Sequence, residues 1–508
     1  MKQAFIILFG ALVLLGCKPE EEKNRKPNFV YILADDLGYG EVGYQGQVKI
    51  QTPNIDALAA SGMVFTNHYS GAPVCAPARC ILLTGKHGGH AYIRGNDEWR
   101  ERGEVWDYAK AAADPNLEGQ RPLPGGTVTL ASILQKEGYK TGIVGKWGLG
   151  APTTESIPTK MGFDYFYGYN CQRQAHNLYP PHLWENETKV PLNNPIVVPS
   201  TKLDSLADPN DPASYKKYQQ QDYAPTLMHE KALSFLEENK DEPFFLYYAS
   251  PLPHVPLQAP LNDVDKYHEE FGEEDPYTGV NGYFPNRYPH ATYAAMISLL
   301  DQQIGEVRNK LKELGLEENT IIVVTSDNGP TYTGGVDFDY FESSKPFTNG
   351  YGRTKGFVYE GGIRIPMLVS WPGKVEAGSK TDHISAFYDV LPTICDLLGI
   401  PAPADADGKS FLPTLLGKEQ EEHEYLFWEY PEYGGQQAVR MGKWKAVRQN
   451  IMKEENLEIE LYDLSIDPKE QNNVAAANPD LVKKMEEIMQ KEHSTPILDR
   501  FKMAALGD

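Results

Sequence analysis

The sequence predicts an α/β fold: a mixed, mostly parallel sheet between helices, followed by a smaller C-terminal α+β subdomain. Three observations lead there. Short continuous apolar runs, of the kind that fill strands buried on both faces, recur as far as Ser370. Helical stretches alternate with them, as a parallel sheet with helical crossovers requires. Beyond Asp407-Gly408-Lys409-Ser410 the pattern changes to closely spaced short strands and one closing helix.

In chain order, Asn28-Phe29-Val30-Tyr31-Ile32-Leu33 is the first strand, and it ends at Ala34-Asp35-Asp36. Further strands are predicted at Gly142 to Val144, Phe244 to Tyr248, Ile321 to Thr325 and Pro366 to Ser370. The intervening helices are Asn54 to Ala60, Val128 to Lys136, Thr292 to Leu314 and Tyr388 to Leu398. Residues from about 151 to 240 are rich in Pro, Tyr, Asn and Gln without strong periodicity, so they are expected to be long loops over the site. The C-terminal unit has strands around Tyr425 to Tyr430, Gln437 to Met441 and Trp444 to Arg448, with a helix at about Pro479 to Glu492. These patterns divide the chain into a catalytic domain over 26–415 and a subdomain over 416–508. In an open sheet of this type ligands gather beyond the carboxyl ends of the strands. Asp35, Asp36, Lys146, His254, Asp327 and Asn328 all fall there.

The 508 residues carry a formal net charge of −22, which argues against nucleic acid or an anionic membrane surface as a general partner. An anionic substrate would therefore need a local cluster of positive charge. The run from Ala4 to Gly16 is too short to span a bilayer and has the layout of a secretory signal. Leu14-Leu15-Gly16-Cys17 resembles a bacterial lipobox, so residues 1–17 read as a signal ending at a lipidated Cys17 and 18–25 as a polar tether. The expectation is an exported lipoprotein, periplasmic or anchored at the outer membrane or cell surface, whose only membrane contact is its lipid.

The sharpest local signal is Cys75-Ala76-Pro77-Ala78-Arg79-Cys80-Ile81-Leu82-Leu83-Thr84-Gly85. Pro77 suits the first turn of a helix, which leaves Cys75 near the cap among free backbone N–H groups. Arg79, one turn further in, is placed to brace it. Asp35-Asp36 and Asp327-Asn328 each follow an apolar strand and supply hard oxygen ligands, which suit Ca²⁺ or Mg²⁺ rather than zinc. Gly145-Lys146-Trp147, Ser250-Pro251-Leu252-Pro253-His254-Val255-Pro256, and Lys355-Gly356 ahead of Glu360-Gly361-Gly362 complete the set. In content and order these segments resemble the type I, formylglycine-dependent sulfatase family, of the bacterial arylsulfatase-like kind, with its C-x-P-x-R signature and T-G ending.

The resemblance runs from about Lys26 to the final helix and implies the alkaline phosphatase-like fold. It implies that a maturing enzyme oxidises Cys75 to formylglycine (3-oxoalanine), and that Asp35, Asp36, Asp327 and Asn328 hold Ca²⁺, or Mg²⁺ in its place. Arg79, Lys146 and Lys355 would neutralise sulfate oxygens. Because an alkoxide leaves a sulfate ester poorly, His254, helped by Lys355, would protonate the bridging oxygen. The reaction implied is hydrolysis of a sulfate monoester through a covalent intermediate, on a sulfated oligosaccharide from an algal polysaccharide or a glycosaminoglycan.

There is one departure near the site. Many members carry a histidine where this chain has Gly148, in Gly145-Lys146-Trp147-Gly148-Leu149-Gly150. His90 and His176 are the two candidates for its role. The Cys171 to Tyr179 loop, with Arg173 and His176, has a composition suited to holding a sugar. With Cys17 and Cys75 so assigned, Cys80, Cys171 and Cys395 are an odd remainder and make no disulfide framework. Two other readings share these residues: a formylglycine-dependent phosphonate or phosphodiester hydrolase, and a surface glycan-binding lipoprotein without catalysis. Gly148 is the one feature that favours the latter.

Overall fold

Every residue of β1 (Asn28–Ala34) is buried, and alternate side chains enter two different cores. Phe29, Tyr31 and Leu33 face one, Val30, Ile32 and Ala34 the other. That is the two-residue period of a strand covered on both faces, and each fully buried side chain of this size contributes on the order of 1.5–3 kcal/mol. The structure is a computed structural model that describes residues 25–508. The expected signal sequence, Cys17 and all but the last residue of the tether lie outside the described residues.

The other strands of the main sheet are β2 (Met63–Tyr69), β3 (Lys140–Lys146), β4 (Tyr165–Tyr169), β5 (His182–Glu185), β6 (Thr188–Pro191), β7 (Phe244–Ala249), β8 (Thr320–Ser326), β9 (Met367–Ser370) and β10 (Ser379–Ala386). Their spatial order is β10-β2-β9-β8-β1-β7-β3-β4-β5-β6. The central strands β8, β1, β7, β3 and β4 run parallel, whereas β9, β5 and β6 pair antiparallel with their neighbours. The sheet is therefore mixed and mostly parallel at its centre, as expected. Parallel pairing brings the carboxyl ends of β8, β1, β7 and β3 to one edge.

Two helical layers cover the faces. One contains the long helix Pro289–Glu313 and the helices Pro53–Ser61 and Ala224–Glu238. The other contains Cys75–Thr84, Leu130–Lys136 and Val390–Leu398. The expectation of loops throughout 151–240 is corrected here. That stretch includes β4, β5 and β6, which extend the sheet, and the helix Ala224–Glu238. The strands are short, four or five residues each, and their pairing partners decide them more than local pattern does.

The second sheet is antiparallel, β11 (Leu426–Tyr430), β12 (Gln436–Met441), β13 (Trp444–Arg448) and β14 (Glu460–Asp463). Phe427, Val439, Ala446 and Leu461 pack under the helix Pro479–Glu492. Trp428, Ala438, Val447 and Tyr462 face the opposite way and join the core that holds the Cys75 helix. The Trp428 indole also donates to the Ser70 carbonyl at 2.8 Å. This sheet thus packs directly behind the site.

Candidate active site

At the end of β1 the chain turns at Asp36, held at φ 67°, an uncommon conformation for a residue with a side chain. The pairing of Ala34 with Ser326 places Asp35 beside Asp327, whose amide donates to the Ala34 carbonyl. The end of β3 delivers Lys146, and the segment after β7 delivers His254. All five derive from the ends of four neighbouring parallel strands, β1, β8, β3 and β7.

Cys75 starts a ten-residue helix buried along its whole length. Its Sγ lies 3.3 Å from Asp35 Oδ1 and 3.6 Å from Lys355 Nζ. Arg79, one turn on, is fully buried and bonds Asp327 Oδ2 at 2.8 Å and the Lys146 carbonyl at 2.6 Å. Lys146 Nζ bonds Asp35 Oδ2 at 2.6 Å, and Lys355 Nζ lies 2.6 Å from Asp36 Oδ1. Three carboxylates and three cations are thus interleaved around the cysteine.

The electrostatics follow from that packing. Burial alone would raise Asp35, but Lys146, His254, Arg79 and Lys355 hold it well below the usual carboxylate range. Asp327 is pushed up to about 6 by burial and by the neighbouring Asp35 charge. Burial, with Asp35 next to it, raises the Cys75 thiol, so the unmodified residue is a poor nucleophile. The His254 Nδ1–H donates to the Val255 carbonyl, which turns Nε2 toward Asp36 at 3.6 Å. Burial and then Lys355 hold His254 well below the ordinary imidazole value.

Asp35, Asp36, Asp327 and Asn328 fit a hard divalent cation. Asn328 Nδ2 donates to Asp36 Oδ1 at 2.7 Å, while its Oδ1 is buried and makes no hydrogen bond. Three carboxylates around one unpartnered amide oxygen are an all-oxygen donor set, and Asp36 also lies close to Cys75 and His254.

His176 joins the cluster. Its ring stacks on His254 at 5.4 Å and 9°, and Tyr283 meets both imidazoles edge-on. His90 does not. It lies past the far end of the Cys75 helix, on the order of 14 Å along the axis at 1.5 Å per residue, where it bonds Asp407 and stacks on His87. The expectation that His90 acts on Cys75 is corrected: the Gly85 turn carries the chain away from the cap. Nor do these histidines make a metal site. His87 Nδ1 accepts from the Gly89 amide, so its Nε2 carries the proton it donates to Glu492. Arg173 lies over the Trp106 ring at 4.9 Å and bonds the Trp106 carbonyl, with no contact to the Cys75 cluster. Its expected place on the substrate is not supported by these contacts. At Gly148, the Gln172 amide occupies the space that a side chain would enter. Tyr283 had no signal in the sequence, because its loop reaches the site only through tertiary packing. Cys75, Cys80, Cys171 and Cys395 are all free and buried.

A helix that opens on a cysteine at a sheet edge, flanked by hard oxygen donors and three cations, defines a class of enzyme that handles an anionic ester. Residues 27–400 match the sulfatase family, and residues 351–495 match the C-terminal region of N-sulphoglucosamine sulphohydrolase. The N-acetylgalactosamine-6-O-sulfatase of Bacteroides thetaiotaomicron is 31% identical over 95% of this chain and 97% of its own. Human arylsulfatase A is also 31% identical, over 91% and 87%. Among solved structures, Ps i-CgsB in complex with k-i-k-neocarrahexaose has a TM-score of 0.72 at 26% identity, covering 93% of this chain and 94% of that one. The chain belongs to the sulfatase family, enzymes that hydrolyse sulfate esters. The alkaline phosphatase-like architecture is that of its structural neighbours.

Proposed function

We propose that this enzyme removes sulfate from a sulfated carbohydrate, using formylglycine made from Cys75 and a divalent cation, Ca²⁺ with Mg²⁺ as the alternative. The observation that carries the reading is the placement of Cys75 between Asp35 and Lys355, beside the unpartnered oxygen of Asn328. Asp35, Asp36, Asp327 and Asn328 would hold the cation, which supplies Lewis acidity to a sulfate oxygen. Residue 75, once oxidised, supplies the nucleophilic oxygen that its thiol cannot.

The chain's own groups do the rest. Arg79 orients Asp327 and sits beneath the reacting centre. Lys146 and Lys355 offset the charge of the sulfate oxygens in a site from which most water is excluded. With an anionic ester bound against it, His254 takes up a proton at Nε2 and, backed by Lys355, passes it to the bridging oxygen as it leaves. His176 holds the His254 ring by stacking and supplies the imidazole that position 148 lacks. The sugar assignment rests on relatives: one acts, by its name, on 6-O-sulfated N-acetylgalactosamine, and another is bound to a carrageenan-type hexaose. Galacto-configured sulfated oligosaccharides are therefore the first substrates to try. Export as a lipoprotein is part of the proposal and rests on the sequence up to Cys17.

The test is the mass of the peptide across Cys75, from protein produced with a maturing enzyme, together with turnover of matched sulfate and phosphate esters. Exchange of sulfur for oxygen with loss of two hydrogens, and sulfate release suppressed by chelation and restored by Ca²⁺, is the expected result. An intact thiol after competent maturation, or faster phosphate release, would overturn it.

A further inference from the structure

Exposed aromatic side chains are ordinary when scattered, but here two sit together at one side of the site. Tyr351 is 74% exposed and Tyr433 45%. They are joined through Phe357 by successive edge-to-face contacts, Tyr351 to Phe357 at 5.2 Å and Phe357 to Tyr433 at 5.4 Å. Tyr332 extends the row, meeting Tyr351 at 5.3 Å. The row starts one residue from the catalytic cluster. Gly356, at φ 89°, lies so close under the Tyr433 ring that a Cβ there would come within 2.9 Å of Cε1. Its neighbour Lys355 reaches Cys75.

Tyr433 is held there at a conformational cost. It sits at φ 52° in the turn between β11 and β12, followed by Gly434 and Gly435, also at positive φ. A bulky residue in that region is uncommon and is retained where the surroundings over-determine it. Its ring packs against buried Phe357 and stacks on buried Tyr430 at 6.1 Å, which fixes its place while nearly half of it stays open to solvent. A chain of net charge −22 also binds a polyanion poorly beyond its own cations, so reach along a sulfated chain must come from uncharged contacts.

We propose that Tyr351 and Tyr433 form a stacking shelf for the uncharged C–H face of the pyranose ring next to the sulfated sugar. This rests on the sulfatase reading and adds that the enzyme prefers an oligosaccharide to a monosaccharide. The aromatic faces supply the apolar surface, and the Tyr hydroxyl edges meet the sugar's hydroxyl rim.

The test pairs a sulfated monosaccharide with a tetrasaccharide ending in the same sugar, for chondroitin-type and carrageenan-type chains. Preference for the longer member is read as a ratio of kcat/KM, and as a ratio of calorimetric Kd on Cys75→Ala protein. Tyr351→Ala should reduce that ratio about tenfold, the equivalent of one lost stacking contact, chiefly in KM. Tyr433→Leu should act in the same direction. Ile497→Ala, beside the separate cavity that contains His90, should keep the wild-type ratio. A wild-type enzyme without preference for the longer chain, or tyrosine variants that retain the preference, would overturn the shelf. Tetrasaccharide binding that needs these tyrosines, in a protein that releases no sulfate, would keep the shelf and refute the sulfatase reading.

Discussion

At residue 148 the backbone runs at φ 74°, and a Cβ there would come within 3.0 Å of the Gln172 amide. Restoring a histidine at this position therefore meets both backbone strain and a filled space. Gly148→His should lose on the order of 1–3 kcal/mol of stability and gain no activity, read from thermal unfolding and sulfate release. In the proposed function the imidazole supplied instead is His176, whose ring lies parallel to His254. His176→Ala should lower kcat by at least about tenfold, within the scale of acid–base contributions, with a smaller change in KM. His90→Ala should leave turnover unchanged, because its partners are Asp407 and His87. A reversed ranking of these two variants would return the role to His90.

Among the elements, β13 has an unexpected share in the site. Its Lys445 is fully buried and lies 2.9 Å from both Glu360 and Glu470. Glu360 begins the short helix that follows the Lys355 loop, and it also accepts from Tyr69 at 2.8 Å. Burial works against its charge, but Lys445, Arg364 and Arg440 together hold it down at about 2. Glu470, raised to about 7 by burial, gives Lys445 a second carboxyl. Lys445→Met would leave these acids without their shared cation, and removing one partner of a buried pair costs about 3–5 kcal/mol. The expected result is a large drop in melting temperature and lost activity as the Lys355 loop loosens. A variant as stable as wild type would show that the loop does not depend on this anchor.

At the scale of the whole molecule, histidine–carboxylate pairs stabilise the fold on both sides of residue 415, each within its own part of the chain. His493 bonds Glu429 at 2.8 Å and Asp508 at 3.0 Å, and His90 bonds Asp407 at 2.9 Å. Both imidazoles are raised, His493 first by its bond to Glu429 and His90 first by its bond to Asp407. Raised folded-state values mean that the native protein binds more protons than the unfolded chain just above the ordinary histidine value of about 6.5. The stability these two pairs contribute is then fully present below that pH and is lost as pH rises through the folded values. Melting temperature should fall more steeply on that side in wild type than in the His90→Ala/His493→Ala double variant. Parallel profiles for the two proteins would remove this account.

By itself the sequence determined the central strands, because residues buried on both faces must be continuously apolar, and it determined what stands at their ends. Asp35, Asp36, Lys146, His254, Asp327 and Asn328 could be read as one group, since parallel strands of an open sheet share a carboxyl edge. Cys75 and Arg79 were legible because the spacing of a helix turn lies within one short segment. Tertiary structure alone decided the remainder. The strands β4 to β6 depend on partners rather than on pattern. The choice between His90 and His176 depends on which way a loop leaves a helix. The aromatic row joins Tyr351, in the loop before Lys355, to Tyr433 in the turn between β11 and β12, and Lys445 of β13 likewise reaches back to Glu360. Local chemistry sets what each residue can do, but long-range contacts set which residues meet.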